Sequence, residues 1–248
     1  MVVISSGHGL LVRGARGIID EVDEARRVTD RVSDILRSAG ADVNTFHENT
    51  TRNQNDNVNA IVRHHNSQQR DLDVSIHFNS TKTGAIEERG IGVETLYFTG
   101  NQRTKQTASS VSRAISDASG LLLRRGDGTL AANVGFLRLT TAPAILIEVC
   151  FVNSQTDVRL YQQHFESICA AIASTIIGRE IVNTTPPVTS PNEETLCFDL
   201  FGKALDIPGL RNNNRSFVAA RPLLEALGYA VYWDDKTRVV SVRDRPQR

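Results

Sequence analysis

Hydrophobic and polar positions over residues 1 to about 180 switch repeatedly between two periods. Short apolar runs rich in β-branched residues, VVIS, DVNTFHE, DVSIHFN, GVETLYF and AILIEVCF, read as strands. Between and after them, EVDEARRVTDRVSDILRSAG, NDNVNAIVRHHNSQ, RTKQTASSVSRAISDAS and DVRLYQQHFESICAAIASTIIG read as helices, and a short GFLRL precedes the last strand. Gly40 stands where a helix-closing glycine belongs. The alternation predicts an α/β fold, a mixed, mostly parallel sheet flanked by helices.

The pattern then breaks. From Val182 to Thr195 prolines and small polar residues replace the apolar periodicity, which reads as an extended linker. Residues 196–248 resume as strand, turn, the helix FVAARPLLEAL closed by Gly228, and a hairpin of Tyr229–Trp233 with Arg238–Val242 across an Asp-Asp-Lys turn. The expected organisation is a domain over 1–181, a linker over 182–195 and a small α+β module over 196–248. A module of about 50 residues is marginal alone, so it is expected to pack on something or to pair with a copy of itself.

Within the first domain three strand ends carry residues that are expensive to bury. His8 follows the first strand in SGHG, where two glycines leave the backbone free to turn sharply. His77 interrupts DVSIHFN on the face opposite Val74, Ile76 and Phe78. Glu148 lies in AILIEVCF on the face of Leu146 and Cys150, opposite Ile145, Ile147 and Val149. A buried carboxylate left charged and unpaired is costly, so it must be paired, protonated or near a metal. In an open α/β sheet the site lies beyond the carboxyl ends of the strands, where all three residues fall.

The first helix adds a fourth. Its stripe is Ala25, Val28, Val32, Ile35 and Ala39, and at about 100° per residue Glu21 lies within roughly 40° of each. Glu24 is turned away by about 60° on average and is the second choice. Two histidines and one carboxylate suit catalytic zinc with a position left for water, so His8, Glu21 and His77 are the expected ligands. Glu148 is then the expected general base. His47, His64, His65 and His164 are read as lying in strand-edge or helical surface contexts.

Composition narrows the partners. Over 248 residues Lys+Arg and Asp+Glu number 28 each, so no basic excess argues for nucleic acid. The three cysteines, Cys150, Cys169 and Cys197, follow no disulfide or metal spacing and are read as reduced packing residues. No apolar run approaches the roughly 20 residues of a membrane span. MVVISSGHG lacks the marks of a signal peptide, so synthesis in the cytoplasm is expected.

SGHG, the Glu21 helix, DVSIHFN, GVETLYF, LRRGDG and PAILIEVCFVNS together resemble the zinc-dependent N-acetylmuramoyl-L-alanine amidases, which include many phage endolysins. That resemblance implies zinc (Zn2+) held by His8, Glu21 and His77, a catalytic Glu148, and hydrolysis of the amide joining N-acetylmuramic acid to L-alanine in bacterial peptidoglycan. The chain departs from the family after His8, where Gly9-Leu10-Leu11 stands in place of a second glycine. SFVAARPLLEALGYAVYWDDKTRVVSV resembles the small amino-terminal domain of copper amine oxidases. Copper does not follow, because no histidine lies beyond His164.

Asn79 and Arg125 are candidate contacts to glycan or stem peptide. A zinc carboxypeptidase-like wall peptidase, with Arg125 or Arg138 gripping a terminal carboxylate, is one alternative. A non-catalytic wall-binding protein is the other, with wall binding or homodimerisation as the role of the second module. An endolysin-like enzyme of this kind reaches the wall only after release from the cytoplasm. Between GVETLYF and GFLRL there is no room for an inhibitory helix, so activity without a partner is expected.

Overall fold

The computed structural model describes residues 1–179 and, beyond them, 193–200, 203–212, 215–218, 223–225, 227, 229–234 and 239–244. The chain divides into two compact units, Met1–Val182 and Asn183–Arg248. Residues 182–192 of the expected linker lie outside the described residues, and its last three, 193–195, belong instead to a strand of the second unit.

The first unit is built on six strands, β1 (Val2–Ser6), β2 (Val43–Phe46), β3 (Leu72–Asn79), β4 (Glu94–Phe98), β5 (Thr129–Ala132) and β6 (Ala144–Phe151). Their order is β2-β1-β3-β6-β4-β5, with β4 antiparallel to β6 and every other neighbouring pair parallel. The sheet is therefore mixed and mostly parallel, as its pattern predicts. Helices α1 (Glu21–Ser38), α3 (Gln102–Ser119), α5 (Gln155–Gln163) and α6 (Phe165–Ile177) contribute to the larger core. The smaller core, on the face of α2 (Gln54–Asn66) and α4 (Gly135–Leu139), joins Ile61 and Val62 to Phe136, Leu137 and Leu146.

Local chemistry explains the helix ends. Asp20 and Asn53 accept backbone N–H groups of Val22 and Asp56 at the starts of α1 and α2, satisfying donors that a helix leaves open. The stripe of α1 buries Ala25, Val28, Val32 and Ile35 beside Ile4, Val74 and Ile76.

The short GFLRL is the helix α4. Other details differ from the sequence reading. TLAA forms the unpredicted edge strand β5. The last helix is two, broken at His164. Periodicity carries no mark of that break, because Tyr161 and Phe165 keep helical spacing and their rings meet edge to face at 5.9 Å. Cys150 belongs to the larger core with Ile147 and Val149 rather than to the face of Glu148. The cause is a bulge, since β3 advances two residues from His77 to Asn79 while β6 advances three from Glu148 to Phe151.

His65 is not on the surface. Its Nδ1 meets Asp73 Oδ1 at 2.8 Å and its Nε2 meets Ser5 Oγ at 3.0 Å, and all three side chains are fully buried. The serine–histidine–aspartate order is that of a hydrolase triad, but no substrate reaches a hydroxyl with no exposed surface. The line is structural. Burial would raise the Asp73 carboxyl, but His65 and Arg70 hold it below its ordinary value. Cys150 and Cys169 are free and buried, as read, while the Cys197 side chain lies outside the described residues.

In the second unit β7 (Glu193–Leu200), β8 (Lys203–Asn212) and β9 (Arg215–Val218) form an antiparallel sheet, and β10 (Tyr229–Asp234) pairs with β11 (Val239–Asp244). The hairpin is in place, with Trp233 opposite Val240. Of the expected helix FVAARPLLEAL, Phe217 and Val218 are in β9 and 223–225 are helical. LDIPGL belongs to β8, and its Pro208 precedes the stretch that β9 pairs, where a missing N–H is tolerated.

Asp73→Ala would leave His65 and Arg70 without their buried counter-charge. We expect a loss of about 3–5 kcal/mol, the usual cost of breaking a buried pair from one side. Urea unfolding followed by far-UV circular dichroism checks this; an unchanged midpoint would make the network dispensable.

Candidate active site

Because β1, β3 and β6 run in parallel, His8, His77 and Glu148 emerge at one edge of the sheet. Register sharpens this. His77 is paired with Glu148, and Glu148 with Glu94 on the antiparallel neighbour β4, so three polar residues form a row across adjacent strands on one face. Sequence reading missed Glu94, because GVETLYF shows no register.

Glu21 comes to this row from the first turn of α1. It is 3 % exposed. Its Oε1 lies 3.0 Å from His77 Nδ1 and 3.5 Å from His8 Nε2, and it accepts the Phe78 N–H at 3.1 Å. Its Oε2 accepts the Ala15 N–H at 2.6 Å. Burial alone would raise the Glu21 carboxyl, but His77, His8 and the Ala15 N–H hold it below its ordinary value. Glu24 instead accepts the Tyr161 hydroxyl at 2.5 Å and pairs with Arg27, away from the row.

One ligand atom from each of His8, Glu21 and His77 lies within 4.8 Å of the others, so the trio can hold a metal ion. Tetrahedral zinc with bonds near 2.0–2.2 Å sets its ligand atoms about 3.3 Å apart, close to the 3.0 and 3.5 Å from Glu21 Oε1 to His77 and His8. His8 Nδ1 is buried without a hydrogen-bond partner. Burial and His77 lower the pKa of His8, whereas Glu21 and then Glu148 raise that of His77 against the effect of burial.

Close packing of the trio explains the glycines. Neither Gly7 nor Gly9 takes a positive φ, so sharp turning is not their contribution. A Cβ on Gly7 would lie 1.8 Å from the His77 ring, and one on Gly14 would lie 2.0 Å from Glu21 Oε2. They provide space. In the departure after His8, Leu10 and Leu11 are exposed.

Glu148 keeps some surface open to a cavity of about 680 Å³ shared with His8, His77, Gln54 and Arg138. Its Oε2 is buried and lacks a hydrogen-bond partner. Burial, with Glu21 and Glu94 adding to it and His77 opposing, pushes its pKa up to about 7. That suits a group that must take and return a proton near neutrality.

The surrounding loops rest on residues that the sequence did not single out. Glu48 accepts the backbone and hydroxyl groups of both Thr50 and Thr51, and its own carbonyl accepts from Leu10 N and Arg26 Nη2. Asn153 accepts Thr81 N–H and donates to Thr81 Oγ1 and the Ala85 carbonyl, fixing the loop after β3. Asp157 accepts three backbone N–H groups, from Ile91, Gly92 and Phe151. Helical spacing hides such turn contacts. Asn79 and Arg125 both lie at Glu94, with Asn79 Nδ2 3.3 Å and Arg125 Nε 2.8 Å from its carboxylate oxygens. Among the other histidines, His47 bridges Ser6 and Asp30, and His64 stacks on Phe46 and meets Asn44. His164 marks the helix break.

The family described as N-acetylmuramoyl-L-alanine amidase matches residues 2–177. The chain belongs to that family. A second family, the copper amine oxidase N-terminal domain, matches residues 200–247. An uncharacterised protein of Clostridium perfringens is 28% identical over 187 residues, covering 75% of this chain and 54% of its own length. The chain thus spans about half the length of the curated relatives it matches. Among solved structures, the catalytic domain of an endolysin targeting Clostridia difficile superposes with a TM-score of 0.61 at 20% identity, over 73% of this chain and 98% of its own. The catalytic domain of CwlV, an N-acetylmuramoyl-L-alanine amidase from Bacillus (Paenibacillus) polymyxa var. colistinus, gives a TM-score of 0.59 at 25% identity, over 71% and 96%. No helix among the described residues is long and apolar enough to cross a membrane.

Glu48 offers a test of the loop support by pH. Burial would raise its carboxyl, but the Thr51 and Thr50 hydrogen bonds bring it down to about 2. A depressed folded pKa stabilises above the unfolded value of about 4.3 and is lost as pH falls through about 2. Glu48→Gln should therefore flatten the decline of urea midpoint across that window, and an unchanged acid slope would refute the assignment.

Proposed function

We propose that the first unit is a zinc-dependent peptidoglycan amidase that cleaves the amide between N-acetylmuramic acid and L-alanine, in the manner of an endolysin. The observation that carries it is a two-histidine, one-carboxylate cluster standing beside a carboxyl raised to about 7 with an unpartnered Oε2. Family membership and the likeness to an endolysin catalytic domain and to CwlV support the same reading. His8, Glu21 and His77 are the proposed ligands and Glu148 the general base. When bound, zinc supplies activation of water and polarisation of the amide carbonyl at neutral pH. Glu148 Oε2 takes the proton of the attacking water and returns it to the leaving alanine nitrogen. Glu94 and Glu21 keep Glu148 from being a stronger acid, and His77 keeps the proton from being held too tightly.

The carboxypeptidase alternative loses support from Arg125, which is engaged by Glu94 in a different pocket, while Arg138 lines the catalytic cavity. The domain reading is likewise our own: residues 1–181 catalytic, a linker from 182 to the start of β7 at Glu193 rather than to Thr195, and the rest a wall-binding or dimerising module. We infer an enzyme made in the cytoplasm, acting on the wall after release and needing no partner to be active.

Digestion of purified peptidoglycan, scored for new amino termini against new reducing sugars, tests the reaction class. The amidase reading requires amino termini without reducing ends, and their absence would sink it. Glu148→Gln should keep its zinc equivalent and lose nearly all turnover, on the order of 10²-fold or more. Zinc lost together with activity would move Glu148 among the ligands.

Glu21→Ala should weaken zinc binding far more than Glu24→Ala, because only Glu21 reaches the histidines. Competition with a chromogenic chelator reads the order of affinities, and a reversed order would overturn the ligand set. A chain ending near Glu180 should cleave soluble muropeptides about as fast as the whole protein and intact walls more slowly, through loss of local concentration. Equal rates on walls would remove the wall-binding role of residues 196–248.

A further inference from the structure

One strand beyond Glu148 lies a second pocket, of about 560 Å³, whose lining includes Asn79, Lys82, Arg89, Glu94, Arg124 and Arg125. Four cations and one carboxylate, Glu94, line it. Glu94 is 2 % exposed, with Arg124 Nε at 3.1 Å and Arg125 Nε at 2.8 Å. Two guanidinium groups on one carboxylate leave net positive charge beside it. Arg125 is also the one non-glycine with a positive φ, at 53°, among the described residues. Side chains rarely hold that conformation unless the surroundings impose it, and such residues gather at ligand sites. Arg124 is held from its other side, over the Phe151 ring at 4.6 Å. Arg89 and Lys82 are exposed at the mouth, Arg89 meeting Glu87 only at 3.6 Å.

Chain geometry says what fits. Glu94 and Glu148 are direct partners in adjacent strands, about 5 Å apart between Cα atoms. An extended peptide advances about 3.5 Å per residue, so a peptide leaving the scissile amide at Glu148 carries its second residue about 7 Å away, into this pocket. We propose that the pocket is a carboxylate subsite that grips the free α-carboxylate of the second, γ-linked glutamyl residue of the stem peptide, and so favours acidic over amidated stems. Arginine forks suit a planar carboxylate, and Glu94 orients them while tempering their charge. The assignment rests on the amidase reading of the neighbouring centre.

Two peptides decide it: L-alanyl-γ-D-glutamyl-L-lysine and the same peptide with the glutamyl α-carboxylate as an amide, both with amidated carboxyl termini. Calorimetric titration of the full chain should show the acidic peptide bound about tenfold tighter or better, the scale of a charged hydrogen bond. The Nε–H resonances of Arg124 and Arg125 should shift with the acidic peptide alone. Arg125→Gln should collapse the preference. Should that variant fail to fold, the double substitution Lys82→Gln with Arg89→Gln, which leaves Glu94 and its arginines intact, should reduce it. Equal affinity for the two peptides, including no measurable binding of either, overturns the subsite, as does a preference that survives both sets of substitutions. Wall digestion that proceeds with equal peptide affinities keeps the amidase and removes the subsite. Discrimination between the peptides without digestion does the reverse.

Discussion

The Glu21 carboxylate is the contact on which the site's geometry depends. It is buried at the start of α1, yet accepts the Ala15 and Phe78 N–H groups and meets both His77 and His8. A buried carboxylate without such partners costs several kcal/mol, so the position holds only if loop, helix and strand arrive together. Asp20 makes the arrival possible, capping α1 through Val22 N while Arg13 and Arg16 bind its oxygens. Gly7 and Gly14 leave the room that any larger residue would take from His77 and Glu21.

The row His77, Glu148 and Glu94 then grades charge across three strands. His77 is paired with the Glu21 carboxylate, and Glu94 is paired with Arg124 and Arg125. Glu148, between them, has no hydrogen-bond partner at Oε2 and is left with the proton affinity of a base that works near neutrality. Adjacent strands hold this order through ladder hydrogen bonds, so it does not depend on loop conformation. A reversed β4 is what puts Glu94 there, since its amino-terminal end meets the carboxyl end of the antiparallel β6.

Much of this was legible in the residues. Alternating periods gave the α/β layers, and the cost of polar residues in apolar strands marked His77 and Glu148. Helical angle placed Glu21 inward and Glu24 at the border, where the structure has it bonded to Tyr161. What escaped depended on contacts between distant segments. Glu94 needed a strand register, Cys150 changed face through a bulge, and the helix break at His164 left the apolar spacing intact. His65 looked like a surface residue because a histidine pair on a helix says nothing about a buried aspartate on the next strand.

That misread histidine explains why His8 is presented so firmly. Ser5 and Ser6 are neighbours on β1, and strand geometry sends their side chains to opposite faces of the sheet. Ser5 Oγ meets His65, which Asp73 holds from behind; Ser6 Oγ meets His47 at 2.9 Å, which in turn meets Asp30 at 3.0 Å. Each face of the strand end is thus tied by a hydroxyl to an imidazole, and by that imidazole to a carboxylate on another element. The two lines stop immediately before Gly7, the residue with no side chain of its own to fix it. Clamping the preceding pair on both faces gives the Gly7–His8 turn a fixed point of departure, so that the imidazole of His8 meets Glu21 without needing bulk in the turn, which the His77 ring leaves no space for.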